Sequence, residues 1–255
     1  MRYMLVMYGN ENDWNDAERR ECMVESLEIC KQLAAKGKFI ATAPLQSVAT
    51  ATSVRVREGR MLVTDGPFAE TTEQLGGYFL LDLENLDEAI AIAGRLPSVR
   101  KGVAEIRPLL DLEGRPEARS IASGAAPAGT APYLLLCYHD EAIFERAEPS
   151  FKTEAMAEAA GLCRKLSENG KYLNASPLHP SSTATCVRVR DGKRHITDGP
   201  FAETHEVLGG FYLVLAESPE EAQRIAAQQP GARLGTIEVR PLFDFSPVND
   251  TLSIS

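Results

Sequence analysis

The sequence lacks any long apolar run and any cluster of basic residues. No segment approaches the ~18 consecutive apolar residues of a membrane-spanning helix, so we expect no membrane partner. The basic residues are scattered through a chain of net charge −9, which argues against a nucleic-acid partner. The apolar N-terminus is short and charged residues follow it at once, which is typical of a first strand rather than a signal peptide.

Cysteine is present, but without a recognisable pairing pattern. The 5 cysteines form no C-x-x-C motif and their number is odd, which favours reduced thiols and predicts a cytoplasmic protein. Cys30 and Cys163 occupy equivalent apolar positions of two predicted helices, where a small buried side chain is the simpler interpretation. No ligand spacing marks a metal site, so we expect neither a metal nor a cofactor.

The sequence contains the same unit twice. The segment Thr-Asp-Gly-Pro-Phe-Ala-Glu-Thr at 64–71 recurs at 197–204, an offset of 133 residues. The opening strands align at an offset of 130, so three residues are inserted before the first helix of the second copy. Such self-similarity indicates a tandem duplication. Further segments that recur at the offset of 133 are Val-Arg-Val-Arg (54–57 and 187–190), Leu-Gly-Gly (75–77 and 208–210) and Arg-Pro-Leu (107–109 and 240–242).

The duplication predicts the domain organisation. A stretch rich in Gly, Ala, Ser and Pro, without apolar periodicity, separates the two copies and predicts a flexible linker. We therefore expect a first domain at 1–112, a linker at 113–131, a second domain at 132–245 and a tail at 246–255.

Each copy predicts the same order of elements, β-α-β-hairpin-β-α-β. In the first copy, Met23, Leu27, Cys30 and Leu33 recur at helical spacing, and the second copy repeats that stripe. A Glu-Gly or Asp-Gly turn follows each Val-Arg-Val-Arg segment, as in a tight β-hairpin. This order predicts an α+β fold of two ferredoxin-like βαββαβ units, each with an added hairpin. Helices would cover one face of each sheet, and the two uncovered faces would pack on each other.

Several motifs occur in the same order in both copies: the opening strand, the Val-Arg-Val-Arg hairpin, Thr-Asp-Gly-Pro-Phe-Ala-Glu-Thr, Leu-Gly-Gly and Glu-(Ile/Val)-Arg-Pro. Together they resemble the YCII-related family, in its DGPF-domain branch, over nearly all of both copies. The resemblance implies an intrachain dimeric α+β barrel, a fold that muconolactone isomerase-like enzymes and small oxygenases share. It also implies an association with extracytoplasmic-function sigma factors, and no defined biochemical role.

One departure from the resembled family concerns histidine. Better-studied members carry a histidine on the first helix, thought to work with an aspartate, but neither first helix has one here. A histidine mechanism shared by both copies is therefore excluded. His205, next to the second signature, is the best catalytic acid–base candidate, although a lone histidine is more often a surface residue. All 4 histidines lie in the second copy, at His139, His179, His195 and His205.

The repeated Asp-Gly-Pro-Phe segment, here called the signature loop, carries the main candidate site. Asp65 and Asp198 have a structural interpretation, because Asp, Gly and Pro all favour turns. They also have a functional interpretation as catalytic bases or ligand anchors. Arg107 and Arg240 are candidates for pairing with these aspartates. Polar residues beyond the turn, which its geometry does not require, are ligand-binding candidates: Glu70, Thr71, Glu203 and Thr204.

Four hairpin arginines are further ligand-binding candidates. Arg55 and Arg57 share one face of a strand, and so do Arg188 and Arg190. One interpretation makes them the solvated face of the hairpin. The other makes them a recognition site for an anionic ligand.

Two classes of function fit these residues. The first is a non-catalytic module that binds a small ligand or a protein partner in a regulatory circuit. The second is a small-molecule enzyme with isomerase, lactonase or proton-transfer chemistry beside the signature loop. The sequence contains no nucleophile–base pair, phosphate loop or metal cluster, which favours the first class. The two copies are expected to form an intrachain pseudo-dimer, and whole chains can pair further.

Overall fold

The structure is a computed structural model that describes residues 1–68, 72–119, 127–202 and 204–243. Within these residues, the first copy forms β1 (Arg2–Gly9), α1 (Asp16–Ala34), β2 (Phe39–Pro44), β3 (Thr52–Arg57), β4 (Arg60–Asp65), β5 (Gln74–Asp82), α2 (Leu86–Ala93) and β6 (Val103–Pro108). The second copy forms β7 (Ala131–Asp140), α3 (Glu141–Arg146), α4 (Pro149–Glu168), β8 (Tyr172–Pro177), β9 (Thr185–Arg190), β10 (Lys193–Asp198), β11 (Glu206–Ala216), α5 (Pro219–Ala227), α6 (Gly231–Leu234) and β12 (Thr236–Pro241). The predicted tail at 246–255 lies outside the described residues.

The copies differ most between their first strand and their long helix. In the first copy, α1 begins at a capping box formed by Asn15 and Glu18. In the second copy, the segment that contains the three-residue insertion forms α3, whose first turn is capped by the Asp140 side chain. The long helix α4 then begins at Pro149, a residue well suited to a first helical turn.

Each of the two antiparallel sheets contains a hairpin from the other copy. The strand order is β10-β9-β6-β1-β5-β2 in one sheet and β4-β3-β12-β7-β11-β8 in the other. Strand β3 pairs with β12 through residues 52–54, and β9 pairs with β6 through residues 185–187. The predicted mixed α+β fold with two antiparallel sheets is confirmed. The hairpins, however, are exchanged between the copies instead of extending the sheets of their own units.

Tight turns and buried valines stabilise the exchanged hairpins. Glu58 and Gly59 have φ values of 53° and 72°, as a two-residue hairpin turn with two left-handed residues requires. Val54 and Val56 pack into the helix-side core of the second copy. The second hairpin mirrors this arrangement, with Asp191 and Gly192 in its turn and Val187 and Val189 in the core of the first copy.

Two of the predicted ligand-binding arginines fasten the hairpins to the opposite copy. Arg57 Nη1 donates to the Ala232 carbonyl at 3.0 Å, and its Nη2 donates to the Gly235 carbonyl at 3.1 Å. Arg190 makes the mirrored contacts with the carbonyls of Val99 at 2.7 Å and Gly102 at 3.2 Å. These guanidinium groups therefore satisfy carbonyl oxygens beside short helical turns, which is a structural role that neither sequence interpretation included.

Three apolar clusters form the core. One lies between each sheet and its helices, and the third lies between the sheets, with residues such as Met4, Val6 and Leu80 of one sheet against Leu134 and Leu213 of the other. Because successive strand residues point to opposite faces, alternate positions of each central strand serve different clusters. The two sheets therefore pack face to face, as their uncovered apolar faces require.

Candidate functional site

The signature loops lie at one end of the space between the sheets, here called the mouth. Phe68 of the first copy stacks on Tyr138 of the second, with ring centroids 4.5 Å apart. The Phe68 backbone N–H donates to Glu238 Oε2 at 3.0 Å. The mirrored contacts are Phe201 on Tyr8 at 4.6 Å and the Phe201 N–H to Glu105 Oε2 at 2.7 Å. Each signature loop thus reaches across to the opposite copy.

Two buried ion pairs form the floor of the mouth. Arg240 Nη1 contacts Glu238 Oε1 at 3.1 Å, and Arg107 Nη1 contacts Glu105 Oε1 at 3.2 Å. The pairing suggested from sequence, between these arginines and the signature aspartates, is therefore wrong. Residues two apart on a strand share a face, which brings Glu and Arg together between the sheets. A buried charge is costly unless it is paired, so each residue depends on its partner.

The mouth encloses a cavity of ≈80 Å³. Burial, with the nearby Glu105 carboxylate as a smaller cause, raises the pKa of Tyr8 well above its ordinary value of 10.0. Burial and Glu238 do the same to the pKa of Tyr138. Both phenols are therefore neutral near pH 7, and the mouth has room for only a few water molecules or a very small ligand.

Asp65 and Asp198 do not line the mouth. Each is the last residue of an exchanged hairpin, and each side chain is exposed. In the described portion of the chain, neither carboxylate has a hydrogen bond or an ion pair. The turn that follows depends instead on Gly66 and Gly199, whose φ values of 98° and 95° favour glycine. The catalytic role suggested for the two aspartates remains a prediction.

The remaining signature candidates do not converge on one cavity. Thr204 donates its hydroxyl to the Glu206 carbonyl at 2.6 Å, which closes a local turn. His205 is exposed, and its catalytic role also stays a prediction. The other candidates, Glu70, Thr71 and Glu203, lie outside the described residues.

The other two hairpin arginines take different positions in the two copies. Arg188 lies over the ring of Phe201 at 5.8 Å and stands 4.0 Å from Glu73 Oε2, so it borders the mouth. Arg55 Nε donates to Thr236 Oγ1 at 2.7 Å on β12. Their proposed anion recognition is a prediction that these contacts leave open.

Two larger cavities lie between the long helices and the sheets, one in each copy. The first has a volume of ≈190 Å³ and lies beneath α1, where Cys22, Met23 and Ser26 contribute to its wall. The second has a volume of ≈200 Å³ and lies beneath α4, where Ala155, Met156 and Ala159 take the equivalent places. Both are lined mostly by apolar residues.

A glutamate at the rim of each cavity anchors a neighbouring loop. Glu11 accepts hydrogen bonds from the Ser47 hydroxyl at 2.8 Å and from the Val48 N–H. Glu141 accepts from the backbone N–H of Ser181 at 2.7 Å and from the hydroxyl of the same residue. These carboxylates position the loop after the second strand of each copy, which forms part of the rim.

The second cavity contains a histidine that the sequence did not single out for a role. His139 lies at the end of β7, and its ring packs against Phe144 with centroids 5.6 Å apart. A Cβ atom on Gly209 would stand only 1.8 Å from His139 Cε1, so the bulge at this glycine makes room for the imidazole. Burial lowers the pKa of His139, and Glu141 offsets this only in part, so the imidazole is neutral near pH 7.

Each larger cavity also contains a polar atom without a partner. In the second, Gln229 is 1% exposed and its Nε2 has no hydrogen-bond acceptor among the described residues. In the first, the Ser98 hydroxyl is buried and likewise unpartnered within the described ranges. Sequence reasoning missed both residues. A position-by-position comparison of the copies could have found them, because Ser98 corresponds to Gly231 in the second copy and Gln229 corresponds to Leu96 in the first.

The described part of the chain contains neither a cluster of metal-binding side chains nor a membrane-spanning helix. No group of three or more His, Cys, Asp and Glu side chains there could hold a metal ion. No helix among the same residues is long and apolar enough to cross a membrane.

Comparisons with known proteins match the duplicated organisation. The YCII-related domain matches the chain twice, over residues 1–113 and 131–246. The uncharacterized protein R00369 of Rhizobium meliloti (strain 1021) is 36% identical over 117 residues, which is 45% of this chain and 94% of that protein. Nearly the whole relative therefore corresponds to a single copy.

Solved structures with a similar fold are distant in sequence. A protein assigned to the Dyp-type peroxidases, from Shewanella oneidensis, has a TM-score of 0.51 at 11% identity, covering 96% of this chain and 94% of that one. A mutant chlorite dismutase from Candidatus Nitrospira defluvii has a TM-score of 0.44 at 9% identity, covering 99% and 95%. At such identities the likeness concerns the fold alone. With its family matched in both copies, the chain belongs to the YCII-related domain family.

Proposed function

We propose that this protein binds small, mainly apolar ligands in the two cavities between its long helices and its sheets. The observation that carries the proposal is the recurrence of a cavity of ≈190 to 200 Å³ at the equivalent place in both copies. A concave, mostly apolar pocket with a few convergent polar groups is the usual form of a small-molecule site. The unpartnered Ser98 and Gln229 atoms supply such polar groups.

The ligands act, in this proposal, on a regulatory circuit and not as substrates. The resemblance to the DGPF-domain branch, with its association with sigma factors, supports that role. The architecture we propose is the intrachain dimeric α+β barrel, supported by the sheet-to-sheet cluster and by the exchanged hairpins. Five free cysteines support a reducing, cytoplasmic location.

The alternative function is an enzyme whose active site lies in the second cavity. One observation favours it: a neutral imidazole at His139 can accept a proton from a bound ligand. No described group hydrogen-bonds to either ring nitrogen, so both are available. The Asp-Gly-Pro-Phe loops would then have a structural role at the mouth, and catalysis would take place in the second cavity.

Matched variants test the proposed binding. Ser26 and Ala159 are equivalent positions in the walls of the two cavities. Ethylbenzene, titrated into the whole protein and followed by two-dimensional NMR, should perturb amides around both cavities. Ser26→Phe should abolish the response of the first cavity only, and Ala159→Phe that of the second only.

Thermal melts serve as the control for these variants, since overpacking a core site costs about 1–3 kcal/mol. If a phenylalanine variant unfolds, the corresponding methionine variant takes its place. The proposed function would be contradicted if ethylbenzene caused no change in the NMR signals of the amides around either cavity of the wild-type protein. If the wild-type protein hydrolysed an aryl lactone, and this activity were lost in His139→Gln but retained in Asp65→Asn, the result would instead favour the alternative function as an enzyme.

A further inference from the structure

The two cavities have similar volumes but different polar groups on their sheet side. Three polar side chains line the second cavity there, and in the first copy each is replaced by an apolar residue or by glycine. The equivalent pairs are Cys137 and Met7, His139 and Gly9, and Gln229 and Leu96. Cys137 and His139 are two residues apart on β7, so they share the face that looks toward α4.

At four other positions, two of them on the long helices, the difference is reversed. Four positions that carry a thiol or a hydroxyl in the first cavity carry alanine or glycine in the second. The equivalent pairs are Cys22 and Ala155, Ser26 and Ala159, Thr42 and Ala175, and Ser98 and Gly231. The polar groups therefore stand at different places in otherwise similar cavities, with Cys22 and Ser26 on α1 in the first, which would orient a ligand differently in each.

Gln229 provides a fixed hydrogen-bond donor in the second cavity. Its Oε1 accepts a hydrogen bond from the Cys137 thiol, with Sγ and Oε1 2.9 Å apart, so the amide oxygen is engaged with β7. Nε2 is then left buried without a partner in the described residues. An unpaired buried donor is costly, and a ligand oxygen at this place would remove that cost.

The charges around the second cavity exclude an anionic ligand. Its lining contains Glu141 and Glu145 but no lysine or arginine. Both oxygens of Glu141 already accept hydrogen bonds from Ser181, so this carboxylate stays at the rim as a fixed negative charge. A carboxylate or phosphate ligand would meet like charge and no cation.

We infer that the second cavity selects an uncharged, mainly apolar carbonyl compound, whose oxygen accepts a hydrogen bond from Gln229 Nε2, and binds it more tightly than the first cavity does, where Leu96 takes the place of this glutamine. The inference rests on the proposed function and names the ligand class of one of its two sites. The neutral His139 imidazole lies on the same wall and can hydrogen-bond to a hydroxyl that such a ligand carries.

Two probes of similar shape test the inference, acetophenone with a carbonyl oxygen and ethylbenzene without one. Two-dimensional NMR titration of the whole protein follows amides around each cavity separately. Gln229→Leu installs the residue type of the first copy. In the second cavity, this variant should weaken the binding of acetophenone about fivefold to tenfold. The same variant should change ethylbenzene binding by less than about twofold, because only the hydrogen bond is lost.

Melting curves must show that the variant is folded, and Gln229→Met, closer in shape to glutamine, takes its place if it is not. Equal loss of both probes in the folded variant would overturn the inference while leaving ligand binding by the cavity intact. So would a first cavity that binds acetophenone as tightly as the second. Failure of both probes to bind either cavity would overturn the inference together with the proposed function.

Discussion

The mouth and the two helix–sheet cavities differ in how far the copies have diverged. At the mouth three kinds of contact are mirrored: phenylalanine on tyrosine, backbone N–H to glutamate, and glutamate beside arginine. In the cavities, seven lining or adjacent positions differ in polarity between the copies. Residues of the mouth must fit partners from the opposite copy, whereas each cavity is formed mostly within one copy. Mutual fit restricts change at the mouth and leaves the cavities free to specialise.

The largest expected effect comes from removing one charge of the mouth. Arg240→Leu leaves Glu238 buried without its cation and should destabilise the protein by about 3–5 kcal/mol, measured by urea unfolding. The mirrored Arg107→Leu should have a similar effect. A difference of several kcal/mol between the two would break the symmetry that we assign to the mouth.

A surface ion pair provides the control for that experiment. Arg100 pairs with Glu25, and the side chains are 56% and 38% exposed. Arg100→Leu should therefore cost less than about 1 kcal/mol. A cost as large as that at the mouth would mean that burial does not explain the effect.

Each copy has a β-bulge at an equivalent glycine, Gly76 or Gly209, and substitution by alanine should have unequal effects at the two positions. Alanine at Gly209 would place its Cβ 1.8 Å from His139 Cε1, so the imidazole must move and we expect a loss of about 1–3 kcal/mol. At the equivalent Gly76, a Cβ atom would stand 3.9 Å from the Met7 carbonyl oxygen, which is ordinary van der Waals contact, and alanine should be nearly neutral. Thermal melts compare the two variants. Adding His139→Ala to Gly209→Ala should restore stability, and no restoration would contradict the steric account.

The pH dependence of stability should reveal the buried histidine. Because burial lowers the pKa of folded His139 below its ordinary value of 6.5, the unfolded chain binds the proton more readily. The stability that depends on the neutral ring is therefore complete above pH 6.5 and is lost as the pH falls from there through the folded pKa. His139→Gln should lose less stability than the wild type between about pH 7.5 and about pH 5. Parallel losses would count against the assignment.

The smallest expected effect is at the signature aspartates. Asp65→Asn and Asp198→Asn should each change stability by less than about 0.5 kcal/mol, because both side chains are exposed and make no hydrogen bond or ion pair with another described residue. Chemical denaturation measures the change, and ethylbenzene titration shows whether binding persists. Loss of binding at unchanged stability would restore the functional interpretation of these carboxylates.

Much of the fold could be predicted from sequence because its signals are local. Helical spacing, the Glu-Gly and Asp-Gly turns and the alternation of strand residues depend only on near neighbours. The exchange of hairpins could not be predicted. Strands β6 and β12 end in nearly the same sequence, Glu-Ile-Arg-Pro and Glu-Val-Arg-Pro, so each hairpin would find the same edge in either copy. Only the three-dimensional path of the chain decides between them.

The candidate sites were harder to predict for a related reason. The signature suggested a site at Asp65, yet its Phe68 makes the long-range contacts, with Tyr138 and Glu238 of the other copy. Gln229 carries no local signal, since a glutamine after a helix is ordinarily exposed. Its significance comes from burial beside a cavity, which depends on packing between elements far apart in sequence.

The central claim, that equivalent cavities bind different ligands, can be tested with one crystal structure of the whole protein soaked in 4-bromoacetophenone. We predict a stronger anomalous bromine signal in the second cavity than in the first, with the carbonyl oxygen of the ligand within hydrogen-bond distance of Gln229 Nε2. Equal bromine occupancy in both cavities, or a carbonyl directed away from Gln229, would contradict the account.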